Sequence, residues 1–287
     1  MSTSKAFCQI CQEVLIWFIM CTIPPPPPPP TLPSINSSSK PPQTIEINEL
    51  SFNPEICSWA FEHPELREAC FKNNICYEKP PFRYKYRYFE SIPQVGPTCG
   101  LVALSMLVHG EATPDELLSI AKLEGFTNNG EMFSCKQMMK LAEKACSLAE
   151  IENLNCVLKQ GGLFSSDTIE KLLKGAVLLV PYDADCNHSP CLKNGHTAHW
   201  ALACGVMVVN DPVDQYDRDP KNIYILCKHG KSKYLAMWNL YDLSQSNSNL
   251  YEFSPKKGAD GLVYILPEGG IGGENGLRDQ FLIVETI

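Results

Sequence analysis

The chain has 287 residues, 44% of them hydrophobic and 20% charged, which is enough for one sizeable core plus a tail. Its formal net charge of -8 leaves no basic patch of the kind that nucleic-acid binders carry. Fourteen cysteines at scattered spacings, in a chain able to build a core, argue against a small secreted disulfide scaffold. They fit a reducing, cytoplasmic setting in which most thiols are small buried hydrophobes.

Residues 1–44 read as an apolar leader and a proline-rich disordered segment, and residues 45–287 as one folded domain. Val14 to Ile23 is an apolar run that follows Lys5, as in a signal peptide, but at about ten residues it is half of what a membrane crossing needs. No small-residue cleavage pattern follows it, and Gln9, Gln12 and Glu13 dilute it, so a non-cleaved leader or short interaction helix is expected. Pro24 to Pro30 are seven consecutive prolines, which adopt an extended PPII helix. A ligand for an aromatic-lined groove and a stiff spacer both suit that geometry.

Further along, Glu62 to Cys70 reads as a helix and Phe82 to Phe89 as an aromatic, basic segment packing on the body. The loop Gln94-Val95-Gly96-Pro97-Thr98 delivers Cys99 to the start of an apolar helix. Pro114 to Glu124 is a second helix, with Thr113 as its cap and Asp115 and Glu116 at the positive end. Ser134 to Ala149 and Ser166 to Leu173 follow, the last capped by Ser166 or Asp167. The period then changes. Ala176 to Val180 is a buried strand ending at Pro181, and strands are expected at His199 to Val209, Asn222 to Lys228, Lys233 to Trp238, Gly258 to Pro267 and Gln280 to Glu285. Helices first and strands after give an α+β domain with helices on a mainly antiparallel sheet.

Thiol chemistry needs a thiolate, and a helix start or a neighbouring imidazole lowers the cost of forming one. Cys99 has the first by sequence, and the small neighbours Gly96 and Gly100 are expected to let a substrate backbone approach. Gln94 can give an amide N–H to an oxyanion alongside the backbone N–H of Cys99. His199, at the start of an apolar strand and followed by Trp200, is the expected base, with His196 its nearest competitor. His63, His109 and His229 have no matching partner and are expected to be solvated or locally bonded. For the group that orients the imidazole, Asp211 serves if a hairpin turns near Gly205. If the strand is unbroken, Asp211 lies roughly 35 Å away at ~3.3 Å per residue, and Asn239 or Asp242 serves better.

Seven blocks in one order resemble the actin maturation protease (actin aminopeptidase) family: Gln94 to Leu104, Gly130 to Ser134, Leu179 to Asp183, Asn187-His188, Gly195 to Ala201, His229 to Ser232 and Phe253 to Pro255. The resemblance covers about residues 90 to 285. It implies a papain-like or double-glycine-peptidase-like cysteine aminopeptidase that removes an N-acetylated Met or Cys from immature actin. It implies Cys99 as nucleophile, His199 as base, and a proline-rich segment, Pro24 to Pro30, that recruits profilin. No cofactor, metal or membrane partner is implied.

Two rival readings stand beside it. Cys186, His188, Cys191, His196 and His199 hold enough soft and imidazole ligands for zinc, although their spacing fits no standard pattern and there is no H-E-x-x-H. The other is an inactive proline-rich adaptor, against which the complete set of Gln94, Cys99 and His199 argues.

Overall fold

The computed structural model describes residues 56–212, 216 and 219–286. The leader and the proline segment lie outside the described residues. Among the described residues, seven strands form one sheet in which all pairs are antiparallel: β1 (Arg83–Tyr86), β2 (Leu154–Gln160), β3 (Val177–Asp183), β4 (Ala198–Val208), β5 (Ile223–Lys228), β6 (Ala236–Asn239) and β7 (Gln280–Thr286). The order is β2-β7-β3-β4-β5-β6, with β1 paired to β4. The fold is α+β with a largely antiparallel sheet.

Alternation along the strands divides the core between the two faces. Val177, Leu179, Trp200 and Leu202 meet α2 (Cys99–Leu107), α3 (Pro114–Leu123) and α4 (Cys135–Leu148). Leu178, Val180, Tyr182 and Ala201 meet α5 (Ser166–Leu173) and α6 (Leu240–Ser248) on the other. All nine residues of α2 are buried, so its run of apolar side chains is a core helix and not a surface stripe. Two short helices, α1 (Pro64–Lys72) and α7 (Pro255–Gly258), complete the described elements with three-residue 3-10 turns.

Local signals place several helix starts. Thr113 accepts from the N–H of Glu116 while the Glu116 carboxylate accepts from the N–H of Thr113, a full capping box. Ser134 caps α4, and Ser165, one residue earlier than expected, caps α5.

The strand expected at His199 to Val209 is present as β4 without a hairpin near Gly205, and other strand expectations change. β4 runs unbroken through Gly205, which is a crossing point and not a hairpin turn: a Cβ there would lie 2.4 Å from the carbonyl oxygen of Lys85 on β1. β3 passes through Pro181 because β7 leaves β3 after Leu179, so a residue without N–H sits on an unpaired margin. Gly258 to Pro267 holds no strand. Among the described residues no helix is long and apolar enough to cross a membrane.

Candidate active site

Cys99 opens α2, and the chain reaches it through a turn in which Gly96 takes φ 66°. Thr98 at the N-cap spends its hydroxyl on the carbonyl of Val95, 2.8 Å away, and makes no side-chain cap. The first-turn N–H groups are therefore left without a side-chain acceptor from the N-cap. Gln94 is pinned on both sides: its backbone N–H donates to Gly230 at 2.8 Å and its side-chain amide to Gly96 at 2.6 Å. An amide nitrogen carries two hydrogens, so one remains for another acceptor.

Gly100 serves packing and not substrate approach. A Cβ there would meet Trp200 Cδ1 at 3.1 Å and Met132 at 3.3 Å. The Trp200 indole N–H donates to the carbonyl of Met132 at 2.9 Å, which locks the start of α2, the start of β4 and the loop before α4 together.

Gln94, Cys99, Glu131, His199, Trp200 and Lys257 share the lining of a cavity of about 90 Å³. Cys99 is 8% exposed and His199 7%. Burial pushes the Cys99 thiol up, opposed by hydrogen bonding from the backbone at Trp200, the Lys257 charge and the backbone at Gly100, while Glu131 adds to the rise. Burial likewise pulls the His199 imidazole down to about 3, helped by His229, His188, Lys231 and Lys257. At neutral pH burial thus favours the uncharged thiol and the uncharged ring.

His199 is the second residue of β4 and lies across from Tyr182 on β3. Its ring stacks on His188 at 5.6 Å and stands edge-on to Tyr182 at 5.7 Å and His229 at 6.0 Å. His188 takes φ 62°, a left-handed conformation that His enters more readily than most residues. His229 follows the end of β5, the strand beside β4, and stacks on Trp238 at 5.8 Å. It is 4% exposed, not solvated as the sequence suggests, and burial followed by the His188 charge lowers its pKa to about 4.

The three sequence candidates for orienting His199 stand elsewhere. Asp211 lies three residues beyond Val208, the far end of β4, and the strand from His199 to that end spans nine residues, roughly 30 Å at ~3.3 Å per residue. Asn239 pairs with Tyr224, which pairs with Met207, also toward that far end. It caps α6 through its side-chain oxygen and donates to Pro220 at 2.8 Å, so both ends of its amide are engaged. Asp242 is exposed in the first turn of α6. His196, the rival base, pairs with Glu252 at 3.1 Å. Among the described residues no group of three or more His, Cys, Asp or Glu is placed to hold a metal ion, so the five candidate zinc ligands do not converge.

One positioning residue escapes sequence reasoning. Asp183 is fully buried, and its carboxylate accepts from the N–H groups of Lys193, Gly195 (2.9 Å) and Thr197 (3.0 Å) and from the Thr197 hydroxyl (2.6 Å). It thereby ties down the loop that leads into His199. Its sequence signals are an Asp at the end of a buried strand and a place in the block Leu179 to Asp183, neither of which announces four donors arriving from 10 to 14 residues ahead.

Fold and cavity together define an α+β protein with a thiol and an imidazole at the junction of a helix start and a strand start, the minimum arrangement for nucleophilic thiol chemistry. A family profile described as "Actin maturation protease-like, C-terminal domain" matches residues 89–207, which include both groups. A Drosophila melanogaster protein named "Actin maturation protease" is 46% identical over 231 residues, 80% of this chain and 82% of the relative. Proteins of that name from Danio rerio (35% over 236 residues, 69% and 73%) and Homo sapiens (34% over 229 residues, 68% and 63%) are also similar. The chain belongs to the actin maturation protease family, a family of proteases.

Proposed function

We propose that the chain is a cysteine aminopeptidase that removes the N-acetylated Met or Cys from immature actin, acting in the cytoplasm on a papain-like or double-glycine-peptidase-like domain. The names of its relatives support actin as the substrate. The observation that carries the chemistry is that Cys99 and His199 line one cavity.

In this reading His199 takes the thiol proton as Sγ of Cys99 attacks the carbonyl carbon of the first peptide bond. The oxyanion meets the backbone N–H of Cys99 and the second amide hydrogen of Gln94. The imidazolium returns the proton to the departing amine, which becomes the new actin N-terminus. Water then attacks the thioester, gives a proton to His199, and releases the N-acetyl amino acid and the thiol. His229, just past the end of the strand beside β4, supports the ring in place of Asp211, Asn239 or Asp242. Burial of both partners supports a proton that moves at the moment of attack, because each group is neutral at rest.

Incubating the protein with N-acetylated actin N-terminal peptides and reading masses tests this. Loss of the mass of one N-acetylated residue is expected, with no loss when Cys99→Ala, still folded by melting, replaces the wild type. Untouched peptides, turnover by folded Cys99→Ala, or activity that chelation removes and zinc restores would each overturn the reading.

The proline run Pro24 to Pro30 is proposed to recruit profilin, supported by its sequence of seven consecutive prolines, a composition that grooves for proline-rich ligands take up. Deleting it is expected to weaken profilin binding in calorimetry and to spare cleavage of a short peptide. Unchanged affinity would leave the run a spacer.

A further inference from the structure

Beside the thiol, the cavity carries a charged pair that the chemistry above does not use. Glu131 follows Gly130 in the loop before α4 and is only 5% exposed. Its Oε1 accepts from Lys257 Nζ at a loose 3.4 Å, while its Oε2 is buried with no hydrogen-bond partner among the described residues. Lys257, on α7, extends across the rings of Phe133 (5.3 Å) and Tyr264 (5.7 Å). Both residues line the same cavity as Cys99 and His199.

A buried carboxylate oxygen without a donor is costly, so the orphaned Oε2 at the cavity wall calls for a partner, and a ligand entering the cavity can supply it. The ammonium keeps donors to spare, since it has three and the Glu131 contact is long. An open acceptor and an open cationic donor in one small cavity complement a secondary amide, which offers one N–H and one carbonyl. A free ammonium end would sit beside Lys257, and a carboxylate would sit beside Glu131, so each meets a like charge.

We propose that Glu131 and Lys257 form the subsite that reads the uncharged, acylated end of the substrate, Glu131 Oε2 accepting the amide N–H and Lys257 Nζ donating to the acyl carbonyl. The assignment rests on the aminopeptidase reading and names the residues that choose its substrate. That end lies one residue from the bond attacked, and the pair lies in the cavity of the attacking thiol.

Three peptides of one actin-derived sequence, bearing an N-acetyl, a free amino or an N-succinyl end, are titrated by calorimetry into folded Cys99→Ala protein. The acetylated peptide is expected to bind about tenfold or more tightly than either charged form, a difference of about 1.4 kcal/mol. Adding Glu131→Gln or Lys257→Met is expected to remove most of that preference. If Glu131→Gln does not fold, Lys257→Met, at a partly exposed position, decides alone. Equal binding of all three ends, or a preference unchanged in folded variants, overturns the subsite. A preference that depends on the pair in a protein that cleaves no actin peptide keeps the subsite and sinks the aminopeptidase reading. Cleavage with no dependence on the pair does the reverse.

Discussion

The imidazole of His199, on β4, lies 6.0 Å from that of His229, one residue past the end of β5, and each keeps one buried ring nitrogen without a hydrogen-bond partner among the described residues: Nε2 of His199 and Nδ1 of His229. The rings meet edge to face, close enough for His229 to fix the orientation of the His199 imidazole by packing. His229→Ala is therefore expected to lower kcat about tenfold to a hundredfold with little change in KM, because a misaligned base costs the chemical step and not binding. A loss confined to KM would make His229 part of the binding surface.

The thiol tests the pairing directly. His199→Ala is expected to raise the pH at which iodoacetamide modifies Cys99, since burial already pushes that thiol up and the variant removes the proton acceptor. His196→Ala, whose ring is held by Glu252, is expected to leave the alkylation profile nearly unchanged. Control of the profile by His196 would reverse the assignment.

Acid stability follows from the same rings. On folding, the pKa of His199 falls from 6.5 to about 3 and that of His229 from 6.5 to about 4. Below pH 6.5 the unfolded chain therefore binds protons that the folded chain refuses, and stability falls as pH drops from 6.5 toward 4. A tenfold difference in proton affinity between the two states is worth about 1.4 kcal/mol, so each ring is expected to cost on the order of 3 kcal/mol near pH 4. Urea unfolding at pH 7 and pH 4.5 should show this loss, and His229→Gln should shrink it. A slope that His229→Gln leaves untouched would place the titration elsewhere.

Asp183→Ala leaves the N–H groups of Lys193, Gly195 and Thr197 without their acceptor, at about 1–3 kcal/mol for any that finds no water, while the Thr197 hydroxyl keeps the Ala184 carbonyl. We expect a drop of several degrees in Tm and a loss of activity larger than the stability loss explains, because the loop it holds ends at His199. Activity unchanged below the new Tm would make Asp183 structural only.

Where a signal is local, the sequence carries it plainly. Thr113-Pro114 and Ser134 mark helix starts through their own hydrogen bonds, and Cys99 after a Gly-Pro-Thr turn marks another. What stays hidden depends on partners distant in sequence. β2 is half polar and gains its identity from pairing with β7, over 120 residues away. α6 is rich in Ser and Asn, with Asn247 donating to Pro181 at 2.8 Å and Gln280 at 2.9 Å, so tertiary bonds outweigh its weak propensity. His229 looks unattached in the sequence for the same reason: its neighbours His188, His199 and Trp238 come from three other segments.

The register of β4 shifts between Ala203 and Gly205, where Cys204 is an extra residue against β5. Trp200, Leu202 and Cys204 face the α2 side before the shift, and Met207 continues that face after it. The strand is therefore two half-strands of opposite phase, the front half set by β3 and the back half by β1. Removing Cys204 would merge the phases and turn one half inside out. With the extra residue in place, the back half packs in its own phase against β1 and β5 while the front half keeps His199 and Trp200 turned as the cavity requires.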